Sequence, residues 1–377
     1  MQPHADRARR SFLKTLGSAA ALTAAGSSSL LAATLLESEN KPVNNVIRWP
    51  LPIGSPVLDS LAPAIENSRD VHTSVEKIVE VAGWMAYEDL PMPEFSLPFG
   101  VGKDPAMAID FSMVGDCIDF AFTDFKTHQK FQVDYAGQHW SDSDAMFACI
   151  KRAMDAGIPF LDGNYLAKIT KMDLAGLFRG NIEMPMLDER VAILHQVGAV
   201  LASKYEGRFS NLVKSASPRC YDGGKGLVDK LVAEFPRFQD VSRYDGAEIK
   251  IYKLAQLGVW MLYSSLHASG GFKLEDPEKL SALADYIVPA GLRLLNILSY
   301  SPALEKTINT YQMVPRDSTQ EIEIRAHTLY ATALLREEIN KLRPHDMQII
   351  IPQVDARIWT HYHTTFWPHH LTRTIMY

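Results

Sequence analysis

The stretch "MPMLDERVAILHQVGAVLASKYEG", residues 184–207, decides the fold class. Leu187, Val191, Leu194, Val197 and Leu201 recur every three or four residues, which places them on one face of a helix with a period of 3.6. Gly207 supplies a stop. Working outward, Ile249 to Leu266 is apolar on nearly every side and reads as a central buried helix. Ser318 to Glu321 fits a capping box that opens a helix running to about Lys341. A Gly-rich phosphate loop, an internal repeat and an alternating strand-helix series are all missing from the sequence, so a doubly wound sheet is excluded. Two segments alternate as strands do, "IDFAFTDF" (118–125) and "KFQVDYAGQHW" (130–140), and predict one small antiparallel patch. The expected fold is all-α (mainly α), a single helical domain with that β patch.

A chain of 377 residues, 47% hydrophobic and 22% charged, can bury a substantial core. Its net charge of −6 contains no basic run, which argues against a nucleic acid polymer as partner and for a small molecule. Cys117, Cys149 and Cys220 lack the CxxC spacing of a zinc site and the density of a disulfide framework. They read as buried thiols, with a pairing of Cys117 to either of the others left open. The segment "THYHTTFWPHH" (360–370) concentrates His361, His363, His369 and His370, yet without a standard ligand spacing, so neither metal nor cofactor is expected.

The N-terminus differs from the rest. "RRSFLKTLGSAAALTAAGSSSLLAA" (9–33) sets Arg9 and Arg10 before a mildly apolar run of small residues, with no acidic residue from Arg7 to Leu36. This pattern predicts a twin-arginine export signal over 1–36, a linker over 37–55 and the folded domain over 56–377. The twin-arginine export machinery is then a partner, the destination is periplasmic, and no permanent membrane anchor is expected. Lysine at both Arg9 and Arg10 should leave folded protein in the cytoplasm; undiminished periplasmic recovery on fractionation would refute the signal.

"LSALADYIVPAGLRLL" (280–295) sets one carboxylate, Asp285, in an apolar stretch. Asp276-Pro277 predicts the start of a helix carrying Leu280, Leu283 and Ala284, and Pro289 predicts the start of the next, leaving Asp285 at a corner. Two roles compete for it. It caps a backbone or pairs with an arginine such as Arg293 or Arg325, or it is a catalytic acid that stabilises a cation formed in the transition state. Lys253 and Gln256, one turn apart, either reach a phosphate and a base edge or snorkel to solvent. Glu321, Glu323 and Arg325 read as a buried charge cluster that sets helix register.

Several phrases in fixed order resemble one family: "ENSRDV" (66–71), "DFAF" (119–122), "RAMDAGIP" (152–159), "MPMLDERVAILHQVGAVL" (184–201), "EFPRFQD" (234–240), "YKLAQ" (252–256), "ADYIVP" (284–289) and "EIEIRA" (321–326). The chain resembles the queuosine salvage family, N-glycosidases that release the base queuine from queuosine 5′-phosphate. The resemblance implies a fold similar to the helical DNA glycosylases, no metal, and Asp285 as the catalytic carboxylate. It also implies a substrate pocket around Tyr87, Lys253, Leu283, Tyr286, Asp355, Ala356 and Thr360. Here Tyr87 stands for the family's histidine, Leu283 for a phenylalanine, Ala356 for a tyrosine and Thr360 for an acid, while Asp355 and Trp359 are kept. Asp119, Thr123, Leu254 and Met261 likewise stand for an asparagine, a tryptophan, an arginine and an aspartate. These departures predict that queuosine 5′-phosphate is a poor substrate, with another nucleoside or nucleotide in its place. The alternative is a non-catalytic exported nucleoside- or nucleobase-binding protein.

Overall fold

The computed structural model describes residue 51 and residues 53–93, 100–365 and 367–377. The expected export signal lies outside the described residues, as does most of the expected linker. The fold is mainly α, and Leu187–Lys204 forms as its periodicity predicts, with Gly207 left-handed just beyond its end. Gly198 lets this helix approach the turn Gly163–Leu166, since a β-carbon there would lie 2.4 Å from the Ala167 amide nitrogen. Thr319–Leu342 is the long helix, and the Ser318 hydroxyl accepts the Glu321 amide at 3.2 Å as a cap should.

These helices build two large apolar cores, and Ile324 of the long helix joins Val71, Leu304, Ile308 and Val314 in a small third. One collects Pro105–Cys117, Asp142–Asp155, Leu187–Lys204, Leu227–Glu234 and Lys253–Leu266. The other collects Ala62–Glu66, Val75–Met85, Ile287–Leu294, Thr319–Leu342 and Ile351–Tyr362. The segment 280–285 runs along their seam. Leu280 belongs to the first core, Ala282 and Ala284 to the second, and Leu283 packs back on the first. All three cysteines are buried and free. Among the described residues, no helix is long and apolar enough to cross a membrane.

Four local expectations need correction. First, 118–125 is not a strand and makes only the bridge Thr123 to Lys130. The buried Arg190 guanidinium takes the carbonyls of Ile118, Phe120 and Ala121, leaving them unavailable to a neighbouring strand. Second, the strands form three separate antiparallel pairs: Val71–Thr73 with Leu298–Tyr300, Gln132–Tyr135 with Gln138–Ser141, and Val241–Tyr244 with Ala247–Lys250. Third, the buried helix begins at Lys253, because Ala247–Lys250 is a strand and Tyr252 is left-handed. Fourth, Asp276-Pro277 starts only the short 3₁₀ turn Pro277–Lys279. Beyond it, side chains from other helices bind the backbone: Gln256 takes the Ser281 amide, Asp355 the Leu283 amide, and Arg325 the Ala284 carbonyl. Those three groups are then lost to helical bonds.

Candidate active site

Asp285 sits at the end of the seam segment, half-buried, directly before the helix Ile287–Leu294. That helix starts two residues ahead of Pro289, whose missing N–H costs nothing in a first turn. One carboxylate oxygen of Asp285 accepts the Ile287 and Val288 amides at 2.8 and 3.0 Å. The other accepts the Trp359 indole N–H at 3.0 Å. Neither arginine expected beside it is its partner. Arg293 binds Glu305 and the Pro368 carbonyl, and Arg325 binds Asp240 and the Ala284 carbonyl. A cap and a presented carboxylate are thus the same group, with its negative charge set against the positive end of a helix dipole.

Asp355 lies behind it, buried on Ile351–Tyr362, and accepts the Leu283 amide at 2.9 Å. Burial pushes its carboxyl up to about 8 against the lowering pull of that amide, and the Asp285 charge adds to the rise. At neutral pH it is therefore an acid that keeps its proton, next to a carboxylate. Lys253 is buried and close enough to favour the charged forms of Asp119 and Asp355. Burial also raises Asp119, with Lys253, Arg190 and Arg237 opposing it and Asp285 adding to it. Gln256 is occupied within the fold, where it bonds Ile251 and Ser281.

The raised carboxyl of Asp355 carries a stability prediction. Folded Asp355 holds its proton up to about pH 8, whereas unfolded aspartate loses it near pH 4. Between these values the folded state binds the extra proton, so stability falls as pH rises from about 4 to 8. Asp355→Asn, which keeps the acceptor for Leu283, should flatten that slope and raise stability at pH 8 by about 2 to 4 kcal/mol. Denaturant unfolding at pH 5 and pH 8 measures this, and an unchanged slope would refute it.

Aromatic rings line the outer edge. Tyr286, 36% exposed, packs against the His369 ring at 4.5 Å between centroids, and Trp359, 39% exposed, stacks on His363 at 4.2 Å. His369 Nδ1 lies 2.9 Å from the His370 carbonyl, which can only accept, so Nδ1 carries the proton. Burial holds this imidazole below its usual range, and Asp285 partly opposes the shift. His370 instead turns inward and meets the Tyr377 hydroxyl at 3.1 Å. The structure thus joins Asp285, Leu283, Tyr286 and Asp355, with Lys253 alongside. Ala356 is half-buried and Thr360 exposed on the Asp355 helix. Tyr87 is 85% exposed, and among the described residues no hydrogen bond links it to this group. His369 belongs to the neighbourhood without having been expected there, and Asp119, expected as a substituted family position, is close enough to feel the Asp285 charge. A histidine pair after Trp-Pro was visible in the sequence, but only folding sets one ring outward and the other inward.

Asp285 on its helix amides, the buried Asp355 and the Tyr286 and Trp359 rings are thus gathered in one neighbourhood. The family model described as "Queuosine salvage protein" matches residues 100–377. A Sphaerobacter thermophilus protein named queuosine 5′-phosphate N-glycosylase/hydrolase is 32% identical over 324 residues, which is 85% of this chain and 97% of that protein. The Mus musculus protein of the same name is 30% identical, over 74% of this chain and 82% of its own length. A Schizosaccharomyces pombe relative, again so named, is 28% identical over 73% and 83%. The chain belongs to the queuosine salvage protein family and is a hydrolase acting on an N-glycosidic bond.

Proposed function

We propose that this protein hydrolyses queuosine 5′-phosphate to free queuine, with Asp285 as the catalytic carboxylate. The observation that carries the reading is the Asp285 carboxylate itself, held by two helix amides and the Trp359 indole beside the Tyr286–His369 and Trp359–His363 ring contacts. As the bond from C1′ to the base nitrogen breaks, positive charge develops on the sugar, and a fixed carboxylate stabilises that charge more than the neutral ground state. Water adds its oxygen to C1′ and the released proton balances the departing base. Asp355, neutral at pH 7, donates a hydrogen bond to an acceptor on the base. Lys253 offers a cation to the phosphate.

The substitutions at Tyr87, Leu283, Ala356 and Thr360 weigh against this substrate; the reading rests on Asp285, Asp355 and Trp359, which are kept and meet at the seam. Export through the twin-arginine route remains part of the reading on the strength of Arg9 and Arg10. Purified protein incubated with queuosine 5′-phosphate, queuosine and a panel of ordinary 5′-nucleotides, with released base followed by chromatography, tests the proposal. Queuine release fastest from the 5′-phosphate is expected. A different preferred nucleotide would overturn the substrate, and ligand-raised melting without any base release would show a binding protein instead.

A further inference from the structure

We propose that Arg325, anchored by Asp240, is a positioning residue that sets Asp285 and Lys253 relative to each other across the seam. The proposal rests on Asp285 being the reacting carboxylate. Arg325 is buried on the long helix of the second core. Its two terminal nitrogens donate to the two Asp240 oxygens at 2.9 and 2.6 Å, and its Nε donates to the Ala284 carbonyl at 3.2 Å. The guanidinium lies over the ring of Tyr377, 4.6 Å from its centroid, and Glu321 stands 3.6 Å away.

Asp240 passes the constraint on. Its Oδ2 accepts the Lys253 amide at 3.1 Å, and its carbonyl accepts the Ile251 and Tyr252 amides at 3.0 and 3.1 Å. One guanidinium therefore fixes the residue before Asp285 and, through Asp240, the start of the helix that opens with Lys253. The neighbouring ties on the seam stop short of the residue next to Asp285: Gln256 joins Ser281 to the Ile251 carbonyl, and Asp355 holds Leu283.

Stability is a weak account of this pair, because desolvating both charges offsets most of their attraction. Geometry is a better one. A planar guanidinium directs three N–H groups in one fixed plane, two to a carboxylate and one to a carbonyl, which an ammonium cannot reproduce.

The test uses the full chain with Arg325→Lys, and with Asp240→Leu/Arg325→Met, which removes both charges together. Unfolding, kcat and KM for queuosine 5′-phosphate, and hydrogen exchange of the Ile287 and Val288 amides are measured on each. Those two amides donate to Asp285, so their protection reports its placement without any substrate. Because Glu321, the Lys253 amide and the Ala284 carbonyl each lose a partner, the double variant is expected to lose some stability, and under conditions where it is folded its kcat should fall at least about tenfold. KM should change by less than roughly twofold, and the two amides should exchange faster. Arg325→Lys should show the same two losses, and it decides the matter if the double variant does not fold. Wild-type kcat and wild-type protection in either folded variant would overturn the proposal. If the unmodified protein releases no queuine, the functional reading fails separately, and the exchange measurement still decides: faster exchange supports the positioning role, unchanged exchange refutes it.

Discussion

Asp285→Asn is expected to lower base release by at least about a thousandfold while changing folding stability by no more than about 1 kcal/mol. The two effects separate because the carboxylate does two things with two oxygens. An asparagine carbonyl still accepts the Ile287 and Val288 amides, so the helix start survives. The amide NH₂ then faces the Trp359 indole N–H, donor against donor, and that contact is lost at a modest cost. What disappears entirely is the negative charge that the developing sugar cation needs. Had Asp285 been half of a buried ion pair, the same change would cost about 3 to 5 kcal/mol through the orphaned partner. Base release and thermal unfolding on one preparation check both parts, and retained turnover would remove Asp285 from the chemistry.

The largest stability effect should come from a residue outside the site. Glu323, buried on the long helix, accepts four hydrogen bonds: the Arg69 amide at 2.9 Å, the Asp70 amide at 2.7 Å, the Val71 amide at 2.9 Å and the Tyr244 hydroxyl at 2.7 Å. It is the anchor of the loop that feeds the strand Val71–Thr73 into its pair with Leu298–Tyr300. Glu323→Ala leaves three backbone donors without their acceptor and the Tyr244 hydroxyl with the Asn67 carbonyl alone, and should cost about 3 to 5 kcal/mol. Glu323→Gln retains one acceptor oxygen and should fall between the variant and the wild type. Denaturant unfolding of the three proteins measures the series; an alanine variant as stable as wild type would show that water replaces the carboxylate at no loss.

Helices whose apolar residues keep their own period, such as Leu187–Lys204, could be placed from the sequence, as could the Ser318 cap, because periodicity and capping are local chemistry. Asp285 was singled out the same way, as a charge in an apolar run, with the motif around it supplying the role. The charge cluster of Glu321, Glu323 and Arg325 was legible as buried, but its partners were not. Local pattern failed wherever a side chain distant in sequence claimed the backbone. Arg190 turned an alternating segment into a loop by taking three carbonyls, and Gln256, Asp355 and Arg325 held 281–284 out of the helix that was expected. The same holds for the site: Trp359 is 74 residues from the aspartate it bonds, and Asp355 rises to about 8 only because folding buries it near another carboxylate. Propensity is a property of neighbours along the chain, whereas hydrogen-bond competition and desolvation depend on which groups the two cores bring together at their seam.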